Sequence, residues 1–513
     1  MLFVELATTS AAVGATRSRL AKRALLATAI RAAEPDEIDL VVTYLSGSLR
    51  QRRTGVGWAS LASIPAPAAE STLTVRAVDD AFAAIADIGG SGSAALRASA
   101  VEALFARATA DEQRLLRGLV FDEIRQGALD SLVQDGLAEA FGVPAAAVQR
   151  ASMLLGSTAA AARRLVADGL DGLTGVGLQI GVPVRPMLAA AAPDAGAAVE
   201  KSGLPALVDT KLDGIRVQVH RDGEAIRLYT RSLDDITDRL PDIVAAVAAL
   251  PARRLVLDGE VLAVDAAGRP VPFQQVASRT ATRSADAGGA LPLTLFCFDL
   301  LHVDGRDLLD EPLAERAAVM RSVLPAELIV PRTVAPDLAA VQAAFAGAVR
   351  AGFEGAVVKK LHAPYAAGRR DAGWIKLKPR HTFDLAVIAA EWGYGRRTGW
   401  LSNLHLAARD RRTGDLVMLG KTFKGLTDAM LTWQTEQFLA REARRTKTTV
   451  YVDPPLVAEI AIDGVQASTR YPGGVALRFA RVLRYREDKS VDEVDGLDAI
   501  VALGPAAGDP EPA

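Results

Sequence analysis

The first third of the chain places apolar residues at the spacing of one helix face. Thr109 and Glu112 have the spacing of a capping box at the start of such a stretch. A second apolar stripe runs from 129 to 141 and is followed by Gly142, a residue that commonly ends a helix. The pattern predicts an all-α domain over residues 1–175. Nothing in the pattern indicates what this domain binds.

The pattern changes after residue 176, where short strand-like runs alternate with turns. Apolar and polar residues alternate on both sides of Asp222-Gly223, which predicts a β-hairpin. Further buried strands are predicted at 255–257, 293–298 and 356–358, and helices at 242–250 and 338–351. Together these elements predict a mixed α+β domain over residues 176–380.

The last part of the chain consists of shorter strands with frequent turns. Strands are predicted at 384–390, 404–408, 416–420 and 456–462, a spacing that favours a small β-barrel over residues 381–490. Residues 491–513 carry six acidic residues and no basic ones, which predicts a frayed acidic tail.

Composition narrows the class of protein without identifying its function. The 513 residues include 59 Lys+Arg and 61 Asp+Glu, so the net charge of -2 excludes a uniformly basic nucleic-acid coat protein. No apolar run approaches the roughly 18 residues of a membrane span, and the amino terminus lacks a signal-peptide pattern. The single cysteine, Cys297, excludes a disulfide scaffold. We expect a cytoplasmic, multidomain protein without a membrane partner.

The candidate chemistry begins at Lys211-Leu-Asp-Gly214, directly before the first alternating strand. This motif alone is weak, because a lysine next to an Asp-Gly turn is common. Further motif residues follow it in a fixed order along the chain. They are Arg231 after the second strand, Glu260 and Phe298 at strands, Glu354 before Lys359, Lys376 and Lys378 in alternation, and a basic run at 478–489.

This ordered set resembles the covalent nucleotidyltransferases, and most closely the ATP-dependent DNA ligases. The resemblance covers roughly residues 180–490 and includes Arg185-Pro-Met-Leu-Ala, Pro272-Phe-Gln and Glu311-Pro-Leu-x-x-Arg316. It implies an all-α amino-terminal DNA-binding domain, an α+β nucleotidyltransferase (ATP-grasp-like ligase) domain and a carboxyl-terminal OB-fold β-barrel.

The resemblance also implies an activity and its partners. It implies that a monomer seals nicks in duplex DNA with ATP and Mg²⁺, in replication, repair or recombination. Lys211 would attack the α-phosphate of ATP and form a lysyl-AMP intermediate. The other implied ATP-binding residues are Asp209, Arg216, Arg231, Glu260, Phe298, Arg370, Lys376, Lys378, Arg486, Asp488 and Lys489. Glu260 and Glu354 would hold the metal or the ribose hydroxyls, and Phe298 would stack on adenine. Arg486, Asp488 and Lys489 would orient the pyrophosphate leaving group in the first step.

Three positions depart from the family pattern. Asp209 stands where the family usually has a glutamate that contacts the adenine amine, and it is one methylene shorter. Ala480 replaces a usual proline and Val482 a usual aromatic residue. Both of these changes alter packing and leave the charge unchanged.

Three alternatives share part of the pattern. RNA ligases and mRNA-capping guanylyltransferases use the same lysine chemistry, but such enzymes often lack a long helical amino-terminal region. NAD-dependent ligases add cysteine-ligated zinc, and this chain has one cysteine. A catalytically inactive DNA-binding relative is disfavoured, because Lys211, Glu260 and Glu354 are all present.

Overall fold

The computed structural model describes residues 1–51, 54–61, 64–124, 126, 130–281, 291–366 and 373–503. These residues form two compact units. The first comprises the described residues of Met1–Ala191, Val199–Leu338 and Val357–Ile375. The second comprises Ala192–Ala198, Ala339–Ala356 and the described residues from Lys376 onward. The chain is multidomain, with a helical amino-terminal region at residues 3–174, an α+β region and a β-rich OB region.

The amino-terminal region is helical throughout the part that the structure describes. Its helices are α1 (Phe3–Ala15), α2 (Arg19–Arg31), α3 (Ile38–Leu45), α4 (Val75–Asp87), α5 (Ser93–Ala106), α6 (Ala110–Val120), α7 (Asp130–Phe141), α8 (Ala145–Leu154) and α9 (Thr158–Thr174). The predicted capping box is present, since Thr109 and Glu112 satisfy each other's backbone N–H groups at the start of α6. Helix α7 ends before Gly142, whose φ of +66° suits glycine.

The helical region shares its core with the sheet residues that follow it. Phe3, Leu116 and Val133 belong to the same buried cluster as Val256 and Leu301. Removing the helices should therefore destabilise the α+β region, because that region would lose part of its own core.

The α+β region alternates strands with helices, as its sequence pattern predicts. Its strands are β1 (Ala190–Ala191), β2 (Ala206–Lys211), β3 (Ile215–Asp222), β4 (Ala225–Thr230), β5 (Arg254–Leu262), β6 (Thr294–Val303), β7 (Arg306–Asp307), β8 (Arg332–Ala335), β9 (Gly355–Lys360) and β10 (Trp374–Leu377). Its helices are α10 (Ala195–Ser202), α11 (Pro241–Ala248), α12 (Phe273–Ala281), α13 (Leu313–Val323) and α14 (Leu338–Arg350).

These strands build two five-stranded sheets. One has the order β1-β10-β9-β2-β8 and the other the order β4-β3-β5-β6-β7. Strands β3 and β4 form the hairpin predicted at Asp222-Gly223, and Asp222 pairs with Ala225. Strand β3 also pairs antiparallel with β5, which sets Arg216 opposite Glu260.

The OB region is built on a six-stranded antiparallel sheet. Its elements are β11 (His381–Trp392), β12 (Leu401–Arg409), β13 (Leu416–Thr422), α15 (Asp428–Ala440), β14 (Glu442–Arg445), β15 (Thr449–Ile462), β16 (Gly464–Ala467), β17 (Val475–Arg478), β18 (Arg481–Tyr485) and α16 (Leu497–Val501). The sheet order is β13-β12-β11-β15-β14, with β18 paired to β15. Its core includes Leu404, Leu406 and Phe438, and Ala480 and Val482 are buried in it.

The prediction of a frayed tail from Val491 is wrong for residues 491–503. A short 3-10 helix at Val491–Glu493 and helix α16 are folded, and Val494 and Ile500 are buried. Two apolar anchors outweigh the acidic composition because each removes its side chain from water. Residues 504–513 of the predicted tail lie outside the described residues. No helix in the described ranges is long and apolar enough to cross a membrane.

Candidate active site

Lys211 is the last residue of strand β2. The next residue, Leu212, is 4% exposed, so its burial fixes the backbone just beyond the lysine, while Lys211 itself is half-buried. The Lys211 Nζ donates a hydrogen bond to the carbonyl oxygen of Leu212 at 3.2 Å. The amine thus lies at the end of β2, a strand that the sequence analysis did not predict, and directly before the predicted strand β3.

Glu260 lies beside this lysine because Gly214 approaches strand β5 closely. The Gly214 N–H donates to Oε1 of Glu260 at 2.9 Å. A Cβ on Gly214 would lie 2.4 Å from the carbonyl oxygen of Val261, so only glycine permits this approach. Burial raises the pKa of Glu260, while the Gly214 N–H and the Lys211 charge lower it by less. The carboxyl group therefore senses the charge of the candidate nucleophile.

Arg216 is held in a buried network. Its Nη2 and Nε donate to the carboxylate of Asp258 at 2.5 and 3.1 Å, and its Nη1 donates to the carbonyl oxygen of Met187 at 2.6 Å. The Tyr365 hydroxyl donates to the same carboxylate at 2.6 Å. Burial acts to lower the pKa of Arg216, but the charge and hydrogen bond of Asp258, together with Tyr365 and Glu260, raise it by more in sum, so the guanidinium stays charged.

Phe298 and Trp374 form an aromatic wall beside this network. Their ring centroids are 5.6 Å apart in an edge-to-face arrangement. The Arg216 guanidinium lies 5.3 Å from the Phe298 centroid, and the Lys359 ammonium lies 4.1 Å from the Trp374 centroid. Phe298 is half-buried, so part of its ring is accessible.

Asp209 binds two buried cations that the sequence analysis did not identify as site residues. Its Oδ2 lies 2.7 Å from Nζ of Lys359 and 2.9 Å from Nη2 of Arg332. Both cations also donate to the carbonyl oxygen of Phe298. Oδ1 of Asp209 is buried and has no hydrogen-bond partner within the described ranges.

The structure says little about the predicted ATP-binding roles of Arg231 and Arg370. Arg231 is exposed in the turn that follows β4. Arg370 lies outside the described residues. The predicted roles of both residues stay predictions.

In the second unit, Glu354 and Lys378 form an ion pair. Lys378 also lies 3.5 Å from Asp463 and 5.3 Å from the ring centroid of Phe479. Lys376 and Lys378 are half-buried and alternate with buried Leu377, as their spacing predicts.

The predicted pyrophosphate residues form one cluster in the second unit. Arg486 donates to both carboxylate oxygens of Asp488, from Nε to Oδ1 at 2.9 Å and from Nη2 to Oδ2 at 2.7 Å. Arg486 and Lys489 both donate to Oδ2 of Asp384, at 2.9 and 2.6 Å. The bond from Arg486 lowers the pKa of Asp488 to about 2. Asp384 had no predicted role, because its partners lie about a hundred residues away.

The described residues contain no group of three or more His, Cys, Asp or Glu side chains that could hold a metal ion. Mg²⁺ bound with a nucleotide commonly uses only one or two carboxylates, together with phosphate oxygens and water. The donor set of the first unit fits that mode, because Glu260 offers a carboxylate close to Lys211.

Comparisons with known proteins identify the family of the chain. Residues 186–378 match the family model of the ATP dependent DNA ligase domain, and residues 397–489 match that of the ATP dependent DNA ligase C terminal region. A probable DNA ligase of Beutenbergia cavernae is 57% identical, covering 98% of this chain and 99% of that protein. A probable DNA ligase of a Nocardioides species is also 57% identical, covering 98% of each chain.

A solved structure named Pmar-Lig_PreS3 is similar over 94% of this chain and 99% of its own, with 19% identity and a TM-score of 0.62. At that identity the likeness concerns the fold alone. The two family models and the full-length relatives carry the assignment. The chain belongs to the ATP-dependent DNA ligase family.

Proposed function

We propose that this DNA ligase seals nicks in duplex DNA through a lysyl-AMP intermediate on Lys211. One observation carries the proposal: Lys211 ends strand β2 beside Glu260, within the segment that matches the ligase domain. A lysine held rigidly at a strand end is oriented for in-line attack on phosphorus.

The proposed chemistry consists of three nucleotidyl transfers. The neutral amine of Lys211 attacks the α-phosphorus of ATP, a P–N bond forms, and the P–O bond to pyrophosphate breaks. The 5′-phosphate at the nick then attacks the same phosphorus and takes AMP from the lysine. Finally the 3′-hydroxyl attacks the activated 5′-phosphate, and AMP leaves as the phosphodiester forms.

The lysine must lose a proton before it attacks, because the ammonium has no free electron pair. Glu260 is the carboxyl group that senses the Lys211 charge, and burial raises its pKa. We propose that Glu260 helps to orient the amine.

The base of ATP is proposed to lie against Phe298, whose ring is half-buried and flanked by Trp374. Oδ1 of Asp209, which has no hydrogen-bond partner among the described residues, is an acceptor suited to the adenine amine. Arg216 already contacts Asp258 and Met187, so its proposed part is to shape the wall of the pocket.

The other motif cations are proposed to offset the charge of the phosphates. They are Arg231, Arg370, Lys376 and Lys378. Arg486, Asp488 and Lys489 are proposed to orient the pyrophosphate that leaves in the first step, because they form one charged cluster in the structure.

We propose Mg²⁺ as the metal, with Glu260 as its carboxylate ligand. When bound, Mg²⁺ would neutralise charge that develops on the phosphates. Glu354 is the second predicted ligand. To bind the metal, it would have to give up its ion pair with Lys378.

We further propose that the protein acts as a cytoplasmic monomer on nicked duplex DNA, in replication, repair or recombination. Contacts to the DNA backbone would make binding insensitive to sequence and sensitive to salt.

The test is the sealing of nicked DNA compared with nicked RNA, each with ATP, GTP and NAD in parallel. We expect sealing of nicked DNA with ATP and little sealing in every other arm. Sealing that depends on NAD, or that prefers RNA, would contradict the proposal.

Labelling with α-labelled ATP and Mg²⁺, read on a denaturing gel, tests the intermediate. Lys211→Ala should lose the label. Lys201→Ala is the matched control, because Lys201 is exposed on α10, and it should label like the wild type. A labelled Lys211→Ala protein would contradict the mechanism.

A further inference from the structure

Asp384, near the start of β11, holds both cations of the predicted pyrophosphate cluster. Its side chain is buried, and one carboxylate oxygen, Oδ2, accepts from Lys489 at 2.6 Å and from Arg486 at 2.9 Å. The hydrogen bond from Lys489 to Asp384 raises the pKa of that lysine, which keeps it an ammonium at neutral pH. One carboxylate therefore contacts both positive charges, and Asp488 holds the same guanidinium through its Nε and Nη2.

Asp384 is itself held by Asp495, in the segment that was expected to be frayed. The N–H of Asp384 donates to Oδ2 of Asp495 at 2.7 Å. The N–H of Asp495 donates to the carbonyl oxygen of Asp384 at 2.9 Å. These reciprocal bonds fix the backbone of both residues, so the direction of the Asp384 side chain is defined.

The segment 491–503 is anchored well enough to act in this way. Val494 packs with Ala386 and Val457 in a small buried cluster, and Ile500 is fully buried. Directly after Lys489, the N–H and hydroxyl of Ser490 bond to the Glu493 carboxylate. The chain is therefore fixed on both sides of the Asp384 contact.

Such anchoring matters because long cationic side chains lose rotamer freedom when they bind a ligand. Cations that are already oriented bind a leaving pyrophosphate without that loss. Oδ2 of Asp384 contacts both cations, and within the described residues Asp384 makes one salt bridge to each of them. Arg486 also donates from Nε and Nη2 to Asp488. Within the described residues, this leaves further N–H groups on Nη1 and Nη2 of the guanidinium and on the ammonium for a ligand.

We propose that Asp384, clamped by Asp495, positions Arg486 and Lys489 for the pyrophosphate leaving group in the first step. The inference rests on the proposed function, since it assumes that these cations meet pyrophosphate. Asp384 acts through them and touches no substrate. The segment 491–503 then serves self-adenylation and has no part in phosphodiester formation.

The experiment compares full-length Asp384→Asn and Asp495→Asn with the wild type. Self-adenylation is measured with α-labelled ATP and Mg²⁺, and its reverse is measured as the loss of label from lysyl-AMP on adding pyrophosphate. Sealing of a pre-adenylated nick without ATP reports the last step alone. Asp498→Asn is the matched control, because Asp498 is exposed in the same segment.

Both variants should slow the forward and the reverse first step by the same factor, about tenfold or more, as displaced catalytic groups do. Sealing of the pre-adenylated nick should stay within about twofold of the wild type, because the chemistry of that step needs no pyrophosphate contact. Asp498→Asn should match the wild type throughout. Equal losses in both steps would indicate a merely structural role and overturn the inference, as would an unchanged first step.

Lys489→Ala separates this inference from the proposed function. If Lys489→Ala adenylates itself at the wild-type rate, the proposed role of the cations fails. If Lys489→Ala loses self-adenylation while Asp384→Asn and Asp495→Asn retain it, only the positioning role of Asp384 is refuted. Thermal unfolding shows whether each variant is folded. If Asp384→Asn does not fold, Asp495→Asn tests the inference.

Discussion

Removing the charge of Asp209 should destabilise the first unit strongly. The side chains of Lys359, Asp209 and Arg332 are only 2, 3 and 8% exposed. Asparagine keeps the size of the aspartate but leaves both cations buried with one counter-charge fewer. Such a change lowers the free energy of unfolding strongly, because it leaves an uncompensated charge buried away from water.

The magnitude follows from the two short contacts at 2.7 and 2.9 Å. Each attraction is worth about 6 kcal/mol before desolvation, at an effective dielectric constant of about 20. Much of this is cancelled by the cost of burial, so the free energy of unfolding should fall by about 3–5 kcal/mol. For a unit that spans about 350 residues, at about 2.1 cal/mol/K of unfolding entropy per residue, the loss corresponds to a melting temperature lower by roughly 4–7 °C.

The loss should depend on pH in a defined direction. Burial lowers the pKa of Lys359, and the Asp209 charge raises it by less. Removing the Asp209 charge therefore lowers the pKa of Lys359 further. Between that lowered pKa and the ordinary lysine value of 10.5, the unfolded state binds more protons than the folded state. Stability of Asp209→Asn should therefore rise with pH in this window, and its gap to the wild type should narrow.

Calorimetry at about pH 7 and about pH 10 measures both effects. Asp310→Asn is the control, because Asp310 and Arg150 form an exposed ion pair with side chains 67 and 47% exposed. That variant should lose no more than about 1 kcal/mol. The reasoning is refuted if Asp209→Asn melts with the wild type near pH 7, or if the gap widens as the pH rises.

Three further predictions concern the site, the carboxyl-terminal segment and DNA. Gly214→Ala should lower self-adenylation at least about tenfold, since the added Cβ meets Val261, whereas Gly177→Ala, with no atom within 4 Å, should label normally. Ile500→Ala should cost about 2–5 kcal/mol in chemical unfolding, and the exposed Val501→Ala much less; equal effects would mean that the segment is frayed. Affinity for nicked duplexes of two unrelated sequences should fall with salt at the same slope, and a salt-independent affinity would contradict backbone binding.

Local patterns predicted local structure correctly. The capping box at Thr109 and the hairpin at Asp222-Gly223 depend on neighbouring residues, and both are present. The alternation around Leu377 also predicted which side chains are buried, because strand geometry is local.

The features that were missed depend on distant partners. Lys359 is buried because Asp209, 150 residues earlier, neutralises it, and no local pattern reveals that pairing. Asp384 likewise meets Arg486 across the OB sheet. Residues 491–503 were misjudged because acidic composition suggested a tail, although Ile500 anchors the segment.

The central claim is that Lys211 carries AMP. The most direct measurement is peptide mass spectrometry of the protein after incubation with ATP and Mg²⁺ and without DNA. We predict one AMP adduct, located on the peptide that contains Lys211 and removed when pyrophosphate is added. An adduct on another lysine, or nick sealing by the Lys211→Ala protein with ATP, would contradict the account.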